Sequence, residues 1–130
     1  MTDSTASIPV ISIIEDDESL RVAIAGLLRA FEYVVREFKS ADEFLQSPEL
    51  HYTSCVISDV NLPGIGGLEL QSRLVAQNIE TPIILITAGS DTRKKERALR
   101  AGAICFLKKP FDGQVLVECL ETALRQNLHC

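Results

Sequence analysis

No apolar run in this sequence is long enough to cross a bilayer: residues 10–14 and 83–86 are of strand length, far short of the ~20 residues a helix needs. Nor is there an excess of positive charge. The formal net charge is −5 at pH 7, which leaves no general means of neutralising nucleic-acid phosphates. Residues 1–7 are small and polar and lack the basic start and apolar stretch of a secretory signal, so residues 1–8 read as a polar tail. The four cysteines, Cys55, Cys105, Cys119 and Cys130, are widely spaced and include no Cys-x-x-Cys pair. Cys55 and Cys105 fall in apolar, strand-like runs, where a thiol behaves as a small hydrophobe. That usage suits a reducing, cytoplasmic compartment better than a disulfide or zinc framework. Linkers, repeats and low-complexity segments are also missing.

What is present is the composition of one globular domain: 130 residues, 46% apolar and 24% charged. Two periodicities alternate along it. Short apolar runs near residues 9–14, 33–38, 53–58, 82–86 and 104–107 predict strands. Between them lie stretches of helical spacing, the clearest over residues 17–31, where Leu20, Ile24, Leu27, Leu28 and Phe31 recur. Further helices are predicted over residues 41–46, 68–77, 91–101 and 112–126. Ser40 and Glu43 form a capping-box pattern before the second, and Gly102 stops the fourth. Repeated strand–helix units imply right-handed crossovers, a parallel sheet, and helices on both faces. A ligand then belongs at the carboxyl ends of the strands.

That edge collects reactive side chains. Glu15-Asp16-Asp17 follow the first strand, Asp59 ends the third, Thr87 the fourth, and Lys109-Pro110 the fifth. Each has a bland reading alone: Asp17 as a helix cap, Asp59 as a turn residue, Thr87 as a strand-end hydroxyl, Lys109 as a solvated lysine. Together they are harder to dismiss. Close carboxylates repel by on the order of 4 kcal/mol per pair at an effective dielectric of 20, which a cation would relieve. An all-oxygen site with open water positions suits Mg²⁺. Asp59 is the nucleophile such a site offers to phosphate, with Lys109 and Thr87 as charge and hydroxyl donors to the phosphoryl oxygens.

With those pieces in order, the sequence resembles the receiver domains of two-component response regulators. The resemblance spans nearly the whole chain, from Val10 to Leu124. It rests on Glu15-Asp16-Asp17, on Asp59 within Asp-Val-Asn-Leu-Pro-Gly-Ile-Gly-Gly, on Thr87-Ala88, and on Lys108-Lys109-Pro110-Phe111. It implies a flavodoxin-like, doubly wound, five-stranded parallel sheet of order 2-1-3-4-5, with the receiver domain over residues 9–127 and a short end at residues 128–130. It also implies a signalling switch rather than an enzyme acting on an outside substrate. Asp59 would accept phosphate from a sensor histidine kinase, a phosphotransfer protein or a small phosphodonor, catalyse that transfer itself, and later lose the phosphate by autodephosphorylation. Mg²⁺ would be held by Asp16, Asp17, Asp59 and the backbone carbonyl of Asn61. Lys109, before a cis proline, would be the functional lysine, and Lys108 its neighbour on the opposite strand face. Thr87 and Phe106 would be the switch pair, the hydroxyl moving toward the phosphoryl group and the ring turning inward behind it. Gly66 departs from the family pattern by removing a side-chain cap from the third helix.

Other readings are weaker. A receiver-like module without chemistry would be expected to lose the acceptor, the acidic pair or the lysine, and all are present. A dehalogenase-like phosphatase wants a second Asp two residues after the nucleophile, where this chain has Asn61. A flavin mononucleotide site wants a Ser/Thr/Gly-rich loop after the first strand, where Glu15-Asp16-Asp17 would repel its phosphate. Output is expected through the fourth helix, fifth strand and last helix, as a phosphorylation-dependent homodimer or by docking an acidic partner. There Arg93, Lys94 and Arg97 stand against Asp112, Glu118 and Glu121. No direct contact with nucleic acid or membrane is expected of this domain; residues 1–130 are expected to hold no effector domain, as either a stand-alone receiver or a piece of a longer protein.

Overall fold

The computed structural model describes residues 8–89 and 91–127. Five strands and five α-helices alternate: β1 (Val10–Ile14), α1 (Glu18–Ala30), β2 (Val34–Phe38), α2 (Ala41–Leu45), β3 (Cys55–Asp59), α3 (Gly67–Ala76), β4 (Ile83–Thr87), α4 (Thr92–Arg100), β5 (Cys105–Lys108) and α5 (Gly113–Asn127). A 3₁₀ turn at Pro48–His51, not anticipated from periodicity, joins α2 to β3. All strand pairs are parallel, in the order β2-β1-β3-β4-β5. The sheet is therefore the expected one. Its order reverses at β1, which lies between β2 and β3, so the crevice above β1 and β3 is the switch point of the topology.

Alternation along the strands divides the core between the two faces of the sheet. Ile11, Ile13, Ile57, Ile84 and Ile86 pack with Leu28 of α1 and with Leu116 and Leu120 of α5. Ile14, Val56 and Leu85 pack on the other face with Phe44 of α2, Leu70 of α3 and Ala98 of α4. β3 and β4 are buried along their whole length, as strands covered on both faces must be.

Helix ends follow local chemistry. The Asp17 side chain caps α1 by accepting from the Leu20 amide, and Asp91 caps α4 through the amides of Arg93 and Lys94. Ser40 caps α2 by accepting from Glu43, while the Glu43 carboxylate reaches one residue further back than a capping box requires, to the Lys39 amide. Gly66 caps α3 with no side-chain bond, as its composition dictates. α4 buries only Ala98, and the buried Gln71 of α3 donates to the Ala98 carbonyl at 2.9 Å.

One expectation is overturned. Cys105 and Cys119 form a disulfide between β5 and α5, with Cα atoms 6.3 Å apart, a separation that suits a bridge. Cys105 is thus not merely a small hydrophobe. The sequence hides the pairing because the loop between the two elements returns α5 across the face to which Cys105 belongs. Cys55 is free and fully buried, and burial pushes its thiol up to about 12. Cys130, the end at residues 128–130 and most of the proposed 1–8 tail lie outside the described residues. Among the described residues no helix is long and apolar enough to cross a membrane.

Candidate functional site

β3 sets Asp59 at the carboxyl edge of the sheet, 5% exposed. Its Oδ1 accepts from the Asn61 amide at 2.9 Å, and its Oδ2 accepts from Lys109 Nζ at 2.7 Å. The lysine is brought over by backbone geometry: its amide donates to the Thr87 carbonyl at 2.7 Å, and its peptide bond to Pro110 is cis, as expected. Lys108 ends β5 exposed, on the other face. Gly67 makes room beneath Asp59, because a Cβ there would lie 2.6 Å from the Asp59 carbonyl oxygen.

The carboxylates that gather differ from those expected. Ligand atoms of Glu15, Asp16 and Asp59 lie within 4.8 Å of one another. Asp17 is not in this group, since its Oδ1 is engaged by the Leu20 amide at the start of α1. Glu15 takes the third place. It extends directly from β1, whereas Asp17 directly precedes the helix, and three acids in a row disguise that difference. Glu15 is nearly sealed from solvent; its Oε2 accepts from the Asp17 amide at 3.1 Å. Its Oε1 lies 3.1 Å from Lys109 Nζ as a charge contact without hydrogen-bond alignment, and is otherwise unpartnered.

The electrostatics agree with that packing. Burial raises the Glu15 pKa, and the Asp59 charge adds to the rise against the opposing pull of the Asp17 amide and Lys109. For Lys109, burial alone would favour the neutral amine, but the close contacts and negative charges of Asp59 and Glu15 outweigh it and raise its pKa. The Lys109 ammonium thus serves both Asp59 and Glu15 within a cluster of carboxylates, and the buried Glu15 Oε1 has its charge contact but no hydrogen bond. That donor set fits a hard divalent cation.

Sequence reasoning passed over Arg21, whose helical spacing marks it only as part of the inner face of α1. It is buried, and its Nη1 donates to the Glu15 carbonyl at 2.9 Å while Nε pairs with Glu37 of β2 at 3.3 Å. The loop carrying Glu15 and Asp16 is thereby tied to the neighbouring strand.

Thr87 is buried at the end of β4. Its Oγ1 accepts from the Gly89 amide at 3.1 Å and from Asn61 Nδ2 at 3.4 Å. Phe106 is half-buried against the core on the α4 side. A cavity of about 220 Å³ lies between Thr87, Phe106 and Lys95 of α4. On the other side of Lys109, a largely apolar hollow of about 550 Å³ is lined by Leu20, Leu27, Pro110 and Phe111.

The family profile described as the response regulator receiver domain matches residues 11–121. Nodulation protein W of Bradyrhizobium diazoefficiens is 40% identical over 118 residues, covering 91% of this chain and 52% of that protein. The transcriptional regulatory protein FixJ of the same organism is 38% identical over 117 residues, covering 89% and 57%. Among solved structures, the response regulator StyR superimposes with a TM-score of 0.88 at 36% identity, over 95% of this chain and 62% of that one. FixJ-N does so with a TM-score of 0.82 at 29% identity, over 92% and 95%. The chain spans about half the length of the curated relatives it matches.

Proposed function

This chain belongs to the response regulator receiver family, the phosphorylation-activated switches of two-component signalling, and we propose that its phospho-acceptor is Asp59. The observation that supports this reading most is the pairing of Asp59 with Lys109 inside a cluster of carboxylates. In the transfer, an Asp59 carboxylate oxygen attacks phosphorus, and the bond from phosphorus to the donor's leaving atom breaks in line. Lys109 then exchanges its contact with Asp59 Oδ2 for one with a phosphoryl oxygen, and Thr87 turns from Gly89 to a second. Phe106 follows into the space beside Thr87.

Glu15, Asp16 and Asp59 would hold Mg²⁺, joined by the Asn61 carbonyl. Bound there, the ion would neutralise the carboxylates and draw charge from the phosphoryl oxygens. The chain's own residues supply every other part, so the domain catalyses its own phosphorylation and the later hydrolysis. The donor is a histidine kinase, a phosphotransfer protein or a small phosphodonor, acting in the cytoplasm. The apolar hollow beside Lys109 offers a protein donor its contact surface. Output runs through α4, β5 and α5, where a homodimer or an acidic partner would read the change.

Incubation with acetyl phosphate and Mg²⁺ tests the assignment. Intact mass should show one added phosphoryl group, absent with chelator and absent in Asp59→Asn. Efficient labelling of Asp59→Asn would overturn it.

A further inference from the structure

We infer that Cys105 and Cys119 are a reversible thiol–disulfide site that staples β5 to α5 and holds the switch in its unphosphorylated arrangement. Three observations carry this. The two cysteines are within bridging distance although 14 residues apart, on elements that both pack on the α1–α5 face of the sheet. The pair opens to solvent on the strand side: Cys119 is buried in the core, but Cys105 is only half-buried, whereas the free Cys55 is 0% exposed. Finally, Cys105 immediately precedes Phe106, so the staple grips the strand next to the residue that must move.

The arrangement being held is the resting one. Thr87 Oγ1 is engaged by the Gly89 amide and the Asn61 side chain, while Lys109 pairs with Asp59 and Glu15. The staple acts on switching through the movement of β5 against α5 that the proposal assigns to the switched state: a bond closed in the resting arrangement then favours that arrangement. By reciprocity, phosphorylation must then favour the open dithiol.

The chemistry is ordinary exchange. One cysteine thiolate attacks a low-molecular-weight disulfide and releases one small thiol; the second cysteine attacks the mixed disulfide and releases another. Two protein thiols lose two protons and two electrons, and the small disulfide is reduced to two thiols. In a reducing compartment the pair rests open and closes only under oxidation, the usual role of a disulfide there. Cys55 stays out of it, because burial keeps its thiol neutral.

The coupling to switching rests on the receiver reading above; the thiol site does not. In a Cys130→Ser background, the protein is equilibrated with oxidised glutathione, denatured in acid and alkylated. Intact mass should show two fewer alkyl groups than after dithiothreitol, with no glutathione adduct, and the same in Asp59→Asn. An unchanged label count overturns the site. Beryllofluoride binding with Mg²⁺, measured by isothermal titration, should be at least threefold weaker for the oxidised protein, with no such difference in Cys119→Ser. Equal affinities of oxidised and reduced protein overturn the staple. Failure of the reduced protein to bind beryllofluoride at all would instead count against Asp59 as acceptor, and the label count would still decide the thiol site.

Discussion

β3 and β5 each deliver a key residue to the same edge, yet they are held very differently. Every residue of β3 is buried, between β1 and β4. β5 pairs only with β4, is half-buried along Cys105–Leu107, and ends with Lys108 exposed. Asp59, the proposed acceptor, thus sits on the part of the sheet least able to move, while Phe106 and the approach to Lys109 sit on the part most able to once the disulfide to α5 is open. A switch needs both: a fixed point at which charge changes, and a loosely held strand that answers it.

The largest test of that contrast is mechanical. Ile57→Ala in β3 should cost about 3 kcal/mol, because the cavity it leaves is enclosed on all sides. Leu107→Ala in β5 should cost about 1 kcal/mol, since its surroundings already meet solvent. Urea unfolding measures both, and equal costs would break the comparison.

Cysteine chemistry sharpens it. The Cys55 thiol of β3 is pushed by burial from 9.0 to about 12. Its folded pKa exceeds its unfolded value, so its contribution is complete below pH 9 and is lost as pH rises toward 12. At pH 10 the loss is about 1.4 kcal/mol. Subtracting the pH–stability curve of Cys55→Ala from that of the parent should isolate this slope. Cys105→Ser in β5 should leave the slope in place.

The smallest effect concerns the edge above both strands. Asp17→Ala should lose a helix cap worth about 1 kcal/mol and leave Mg²⁺ affinity within about twofold. Asp16→Asn should weaken Mg²⁺ binding by about tenfold or more while barely changing stability. Matching Mg²⁺ titrations would restore Asp17 to the site.

The sheet was legible because strand and helix periods alternate without interruption, and because four of the five strands end in reactive polar residues after apolar runs. Asp59 and Lys109 stood out for the same reason. Asp17 stood as a candidate cap for the first helix, but identical charges in a row left open whether Glu15 or Asp17 joins Asp16 at the site. The partnership of Cys105 with Cys119 was hidden too, because it depends on the path of a loop rather than on any period. Arg21 falls on the inner face of α1 by its spacing, but nothing in the sequence shows the Glu15 carbonyl and Glu37 that it serves there.

α4 is fastened near its last turn, where Ala98 enters the core and Gln71 clasps its carbonyl. Among the described residues its first turn is held by the Asp91 cap, and it lies beside Thr87 and Gly89. A rod pinned near its far end and free at the near one behaves as a lever. In the proposed switch, Thr87 turning toward the phosphoryl group releases the Gly89 amide beside that free end, and a swing about Ala98 would displace Arg93 and Lys94, farthest from the pivot, the most.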